Sequence, residues 1–343
     1  MNLAKKRTCG VLLMAALLII VVITSIHLGT VPIPLGGAFH EFLVGAGLSH
    51  ESLLTPDQQA VFWFIRLPRI VVGLLVGAAL AAAGAVMQGV FSNPLADPGV
   101  IGVSAGASLG AVIAISLGLS SAGFWYMPLF AFAGAFLAVA VIVLLAMEGG
   151  RTRPVTLLLS GVAMSMFLGA LTSGILTFMN EYRLKEFLFW MVGGLDYRRW
   201  EHVWLAAGPI LIGLIILFLL ARHLNVLVLG DNEARALGLP VMFYRLLFLF
   251  LASLITAIAV CVSGFIGFVG LVVPHIVRIL AGPDHRYLLP VSALTGAVFL
   301  VFCDTLGRVI VAPVEIRLGV MTAILGAPYF LYLLHRMRAK GGF

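Results

Sequence analysis

Ten runs of mostly apolar residues follow one another along this chain, at roughly 10–26, 65–90, 99–119, 124–147, 154–179, 200–220, 241–262, 264–280, 287–308 and 315–335. A helix needs about 20 apolar residues to cross a bilayer. The runs therefore predict an all-α polytopic membrane protein with about ten transmembrane helices. Charged residues are only 10% of the 343, against about 25% in soluble domains, too few to cover a globule. A soluble enzyme, a disordered chain and a disulfide scaffold are excluded. Cys9, Cys261 and Cys303 show no CxxC spacing and sit in or beside apolar runs, where packed free thiols are expected.

Charge placement orients the spans. With both termini in the cytoplasm, thirteen of the 21 basic residues fall inside, among them Lys5, Lys6, Arg7, Arg151, Arg153, Arg338 and Lys340. Eight fall outside: Arg66, Arg69, Arg183, Lys185, Arg198, Arg199, Arg308 and Arg317. The bias fits the positive-inside rule. The net charge of +7 is distributed as short clusters between runs, so it does not point to nucleic acid. No small-x-small cleavage site follows the first run, so it reads as an uncleaved span. The whole chain, 1–343, then forms one transmembrane domain, with an outer loop at 30–60 and its longest cytoplasmic stretch at 222–240. A short amphipathic helix is expected near 36–46. Spans two to five and seven to ten each place a short Gly-rich helix after a longer one, the pattern of an inverted repeat.

Several polar positions allow more than one reading. Asn93-Pro94 and Asp97-Pro98 disfavour helix before each proline, so 93–99 is a rigid cytoplasmic turn, and Gly99, Gly102 and Gly106 allow the next helix to pack closely. Arg66 and Arg69 are either interface anchors or an outer contact surface. Arg308 stands four residues after Asp304 and can pair with it. Asn180–Glu186 mixes both charge signs and reads as a solvated outer loop or an outer gate. His275 serves packing or faces the cytoplasmic mouth. The eight histidines include no HxxxH pair, and GxxxxGK[ST] is absent, so no metal site or phosphate-cradling loop is expected.

The stretch Asn93-Pro94-Leu95-Ala96-Asp97-Pro98-Gly99, followed by Gly102, Ser104 and Gly106, resembles the signature of the FecCD-type permease family. Further matches are Arg66-Leu67-Pro68-Arg69, Trp190 to Leu195, Leu229 to Gly238, Gly267 to Arg278, Asp304 to Arg308, Glu315, Gly319 and Gly326 to Pro328. They cover about residues 60–335 in family order. The resemblance implies the membrane subunit of an ABC importer for an iron–siderophore, haem or vitamin B12, in the bacterial inner membrane. Its implied partners are a second permease subunit forming a homodimer, two ABC ATPase subunits and an extracytoplasmic substrate-binding protein. ATP chemistry then belongs to the partner, and no cofactor is expected. By the same resemblance Arg66, Arg69 and Arg308 receive acidic residues of the binding protein. Gly230, Asp231, Glu233, Ala234, Arg235, Leu237 and Gly238 form a coupling helix that enters a cleft on the ATPase, with Ala234 and Gly238 small enough for close approach. Span five lines the path, which places Ser160, Met164, Phe167 and Leu171 along it; packing is the other reading of these residues.

Two rivals make different demands. An ion-coupled secondary transporter needs mid-span carboxylates, and only Asp304 comes near. An intramembrane enzyme needs a paired nucleophile and base; Ser263 and His275 stand about 18 Å apart along a helix, a poor pairing.

Overall fold

A computed structural model describes residues 3–49, 51–148, 151, 152 and 154–339. Gly149, Gly150, Arg153 and Lys340 lie outside the described residues, as do the side chains of Lys5, Lys6, Arg7, Arg151 and Arg338. The architecture is all-helical apart from a two-residue antiparallel pairing of Met147–Glu148 with Arg151–Thr152. The principal helices are α1 (Leu3–His27), α2 (Leu67–Val90), α3 (Val103–Ser116), α4 (Tyr126–Ala146), α5 (Pro154–Thr177), α6 (Trp200–Leu219), α7 (Val241–Ser263), α8 (Val269–Ala281), α9 (His285–Val309) and α10 (Leu318–Ala339). Among the described residues seven helices are long and apolar enough to span a membrane; α3, α8 and Leu318–Leu333 are shorter apolar helices.

The core is built around α2, which packs on α7, α8 and α9. Small residues make this possible. A Cβ on Gly77 would lie 2.3 Å from the Gly296 carbonyl oxygen of α9, and one on Gly84 1.8 Å from the Gly270 oxygen of α8. Such crossings let backbones touch and so bury dispersion contacts that lipid alone would not favour. Gly106 does the same against Gly134, between α3 and α4. Gly102, where a Cβ would lie 2.7 Å from Ile142 Cδ1 of α4, packs closely as expected and also takes a left-handed conformation (φ 74°) that turns the chain into α3.

Burial separates the helices into two classes. The best apolar window of Pro56–Val90 and that of α7 are each 78% buried, against 22% for α5 and 11% for α1. Within one chain, α5 therefore presents an uncovered apolar face.

Two segments differ from the sequence reading. Asn180–Glu186 is no loop: Asn180 Oδ1 accepts the Arg183 N–H at 2.9 Å and caps a helix over Glu181–Val192. Its apolar side buries Phe187 and Trp190. The run at 264–280 becomes helical only at Val269; Gly264 and Phe268 take positive φ before it. The outer segment 30–60, described apart from His50, also has regular structure. It holds a helix over Leu35–Gly45, near the expected position, and one at Pro56–Ala60 closed by a Thr55/Gln58 capping box.

Candidate functional site

Two polar regions stand at opposite ends of the core. The first lies at the end that the distribution of basic residues assigns to the outside, and is termed the outer mouth. A π-helical turn, Val61–Arg66, feeds α2 and aims Arg66 and Arg69 at the ends of α1 and α9. Arg69 Nε donates to both Asp304 carboxylate oxygens at 3.0 Å, and its Nη1 lies 2.8 Å from Glu315 Oε2. Its Nη2 reaches Asp196 at 3.2 Å. Arg308 Nε donates to Asp304 from the other side at 3.2 Å, while its Nη2 donates to Ser25 Oγ at 2.7 Å. Arg66 donates to the carbonyls of Ile26 (2.6 Å) and Val31 (2.8 Å). Gly29 makes room for it, since a Cβ there would fall 2.4 Å from Arg66 Nη2.

This corrects one expectation. Arg66, Arg69 and Arg308 are only 4%, 8% and 5% exposed, not free surface charges. A guanidinium removed from water has to be paired, and these are. They tie α1, α2 and α9 together around Asp304.

Beside them opens a cavity of about 410 Å³, lined by Arg69, Asp196, Arg198, Arg199, Glu315 and Arg317 among others. Arg317 pairs with Asp196 at 2.7 Å and lies over the Phe189 ring. Arg199 is exposed. Burial, partly opposed by Asp196, pushes the Arg198 guanidinium down to about 10, so it stays charged at neutral pH. Its Nε finds no hydrogen-bond partner. Five arginines, Arg69, Arg198, Arg199, Arg308 and Arg317, thus face three carboxylates, Asp196, Asp304 and Glu315. The mouth keeps an excess of positive charge.

The second region lies at the opposite end, the one the distribution of basic residues assigns to the cytoplasm. In the 93–99 turn, Asn93 Oδ1 accepts the Leu95 N–H (2.9 Å) and Asp97 Oδ1 accepts the Gly99 N–H (2.8 Å). The side chains replace backbone bonds that Pro94 and Pro98 cannot make. The stretch 222–240 forms two short helices, Ala221–Leu227 and Asp231–Ala236. Asp231 forms an ion pair with the buried Arg245 of α7. Glu233, Arg235, Leu237 and Gly238 are exposed, and Gly238 (φ 80°) ends the second helix. Ala234 departs from expectation: it is fully buried within the chain's own core. Its small size serves packing beneath the helix, so the outward face is carried by Leu237, 66% exposed, and its charged neighbours.

Three residues the sequence reading passed over join this region to α9. Asn225 Nδ2 donates to Asp284 Oδ1 at 2.8 Å, and Asn225 Oδ1 accepts the His285 N–H at 2.9 Å. Asp284 caps α9, accepting the Arg286 N–H. The hydrogen bond from Arg286, the largest effect, holds the Asp284 carboxyl well below the usual range; burial opposes it, and Asn225 adds a further lowering hydrogen bond. The Gly282-Pro283-Asp284 sequence before an apolar run is an N-cap signal that could have marked this position.

On α5, Phe167 and Leu171 are exposed and Ser160 and Met164 half-buried, near the uncovered face. The rival constellations do not assemble. Asp304 is held between two arginines, and Ser263 Oγ donates to the Ala259 carbonyl at 2.8 Å.

The FecCD transport family model matches residues 17–336. The chain is 45% identical to the cobalamin import system permease protein BtuC of Halobacterium salinarum, over 90% of this chain and 83% of that protein. It is 42% identical to the hemin transport system permease protein HmuU of Yersinia pestis, over 85% of this chain and 90% of that protein. Among solved structures, an inward-facing metal-chelate type ABC transporter superposes with a TM-score of 0.83 and 32% identity, covering 94% of this chain and 97% of that one.

Proposed function

The chain belongs to the FecCD transport family of ABC permeases, and from that premise we propose that it conducts a metal chelate, a corrinoid, haem or iron–siderophore, into the cytoplasm. It is a transport component and a multi-pass protein of the bacterial cytoplasmic membrane. The chemistry of ATP belongs to a partner subunit.

Two copies pair through faces that include the open side of α5, so that Ser160, Met164, Phe167 and Leu171 border a central path. Sparse polar groups suit such a path, because strong holds on a bulky chelate would prevent its release. A binding protein docks outside through acidic side chains. Arg69 receives them at the cavity together with Arg198, Arg199 and Arg317, while Arg66 and Arg308 brace it from behind. On the inner side the segment 230–238 engages the ATPase through Asp231, Glu233, Arg235, Leu237 and Gly238, with Ala234 and Gly230 shaping it. ATP and the docked protein then favour different openings of the same helices.

The observation that supports this reading most is the pairing of a positive outer cavity with an exposed cytoplasmic helix at opposite ends of one packed core. Purification of the tagged chain in mild detergent tests it. An ABC ATPase recovered in equal amount is expected; the folded chain alone under every nucleotide condition would sink the reading.

A further inference from the structure

We propose that Asn225 is a positioning residue that locks the ATPase-facing segment to α9, so that the two move as one body during transport. The inference rests on the importer reading above. Four observations carry it.

First, the half-buried Asn225 hydrogen-bonds to residues about sixty positions away: to Asp284, to the His285 backbone, and to His285 Nδ1 at 2.7 Å. An amide offers one acceptor and two donors in a fixed plane, which suits this bridge. Second, Asp284 is the N-cap of α9, so the bond that starts α9 is shared with helix Ala221–Leu227. Third, His285 is 1% exposed and its Nε2 lies 3.0 Å from where a Gly89 Cβ would stand, so a shift of the latch also presses on the cytoplasmic end of α2. Fourth, α9 continues for twenty residues to Asp304, about 30 Å at helical rise, where it holds Arg69 and Arg308 of the outer mouth. Two further ties of the segment, the Asp231–Arg245 ion pair and the stacking of His223 on Tyr244, lead to α7. Displacement of the cytoplasmic segment thus reaches the outer arginines through Asn225 and α9.

Hydrogen–deuterium exchange on the purified permease–ATPase complex, with and without Mg-ATP, reads both ends without needing the cargo. In the wild type, nucleotide changes exchange at 230–238 and at the outer rim, 194–199. Asn225→Leu keeps the first response and lowers the second about tenfold, the effect expected when a hydrogen bond to a charged group is lost. A rim response equal to wild type overturns the latch and leaves the importer reading intact. A wild-type chain that retains no ATPase overturns the importer reading itself. If Asn225→Leu is not monodisperse, Asp284 decides. Asp284→Asn keeps both the cap and the acceptor and retains the rim response, whereas Asp284→Ala loses it; equal responses of the two variants overturn the latch.

Discussion

The two ends of the molecule handle their charges in opposite ways. At the outer mouth Arg66, Arg69 and Arg308 are buried; Arg69 borders the cavity, and all three guanidiniums hold α1, α2 and α9 together. At the cytoplasmic end the roles are separated: Ala234 faces the core, Leu237 faces outward, and one ion pair joins the helix to α7. Where fold and recognition share residues, a substitution disturbs both. Where they are divided, one can be changed without the other.

The largest expected effect breaks the outer end. Asp304→Ala takes the shared carboxylate from two buried arginines, leaving Arg69 on Asp196 and Glu315 and Arg308 on neutral oxygens, and removing one partner of such a cluster costs about 3–5 kcal/mol. Thermal unfolding in detergent is expected to show a strongly lowered midpoint; an unchanged midpoint would mean that the cluster does not hold the fold. The cytoplasmic end gives a sharper contrast. Ala234→Leu overfills a closed site and costs about 1–3 kcal/mol. Leu237→Ala stays within about 0.5 kcal/mol in stability yet releases the ATPase more readily. Equal melting points for the two would erase the division of labour.

Smaller effects refine the outer end. Arg199→Ala with Arg317→Ala leaves most of the buried cluster in place and lowers the rate of binding-protein association, most at low salt. A rate independent of salt would remove the electrostatic role. The weakest effect concerns pH. Glu41 is buried in the outer segment; burial raises its pKa, but hydrogen bonds from Ser52, Trp63 and Gln59 together outweigh that and leave it lowered. Its folded value lies below its unfolded one, so its contribution is complete above about pH 4.3 and disappears as pH falls through the folded value. Trp63 fluorescence is expected to report acid loosening of 35–63 in the wild type, and Glu41→Gln to flatten that response.

The helices were legible because lipid imposes a length and a polarity that any apolar run declares. The 93–99 turn was legible because Asn-Pro and Asp-Pro act locally. The path residues on α5 could be placed on a helix, but their surroundings depend on a partner surface. Burial of the outer arginines was not legible: Arg69 meets Asp304 across 235 positions, and nothing in the sequence near either one announces the other. Arg308 and Asp304, four residues apart, were within reach of helical spacing. Asn180 and Asp284 were missed although each stands as a polar cap before an apolar helix.

Uptake by proteoliposomes tests the central claim most directly. The permease with its co-purified ATPase and binding protein would be reconstituted and offered cyanocobalamin, haemin and a ferric siderophore in turn, with ATP supplied on the ATPase side and all ion gradients collapsed. Accumulation of one of these chelates that requires ATP is the expected result. Accumulation that ignores ATP and follows an imposed proton or sodium gradient would contradict the account.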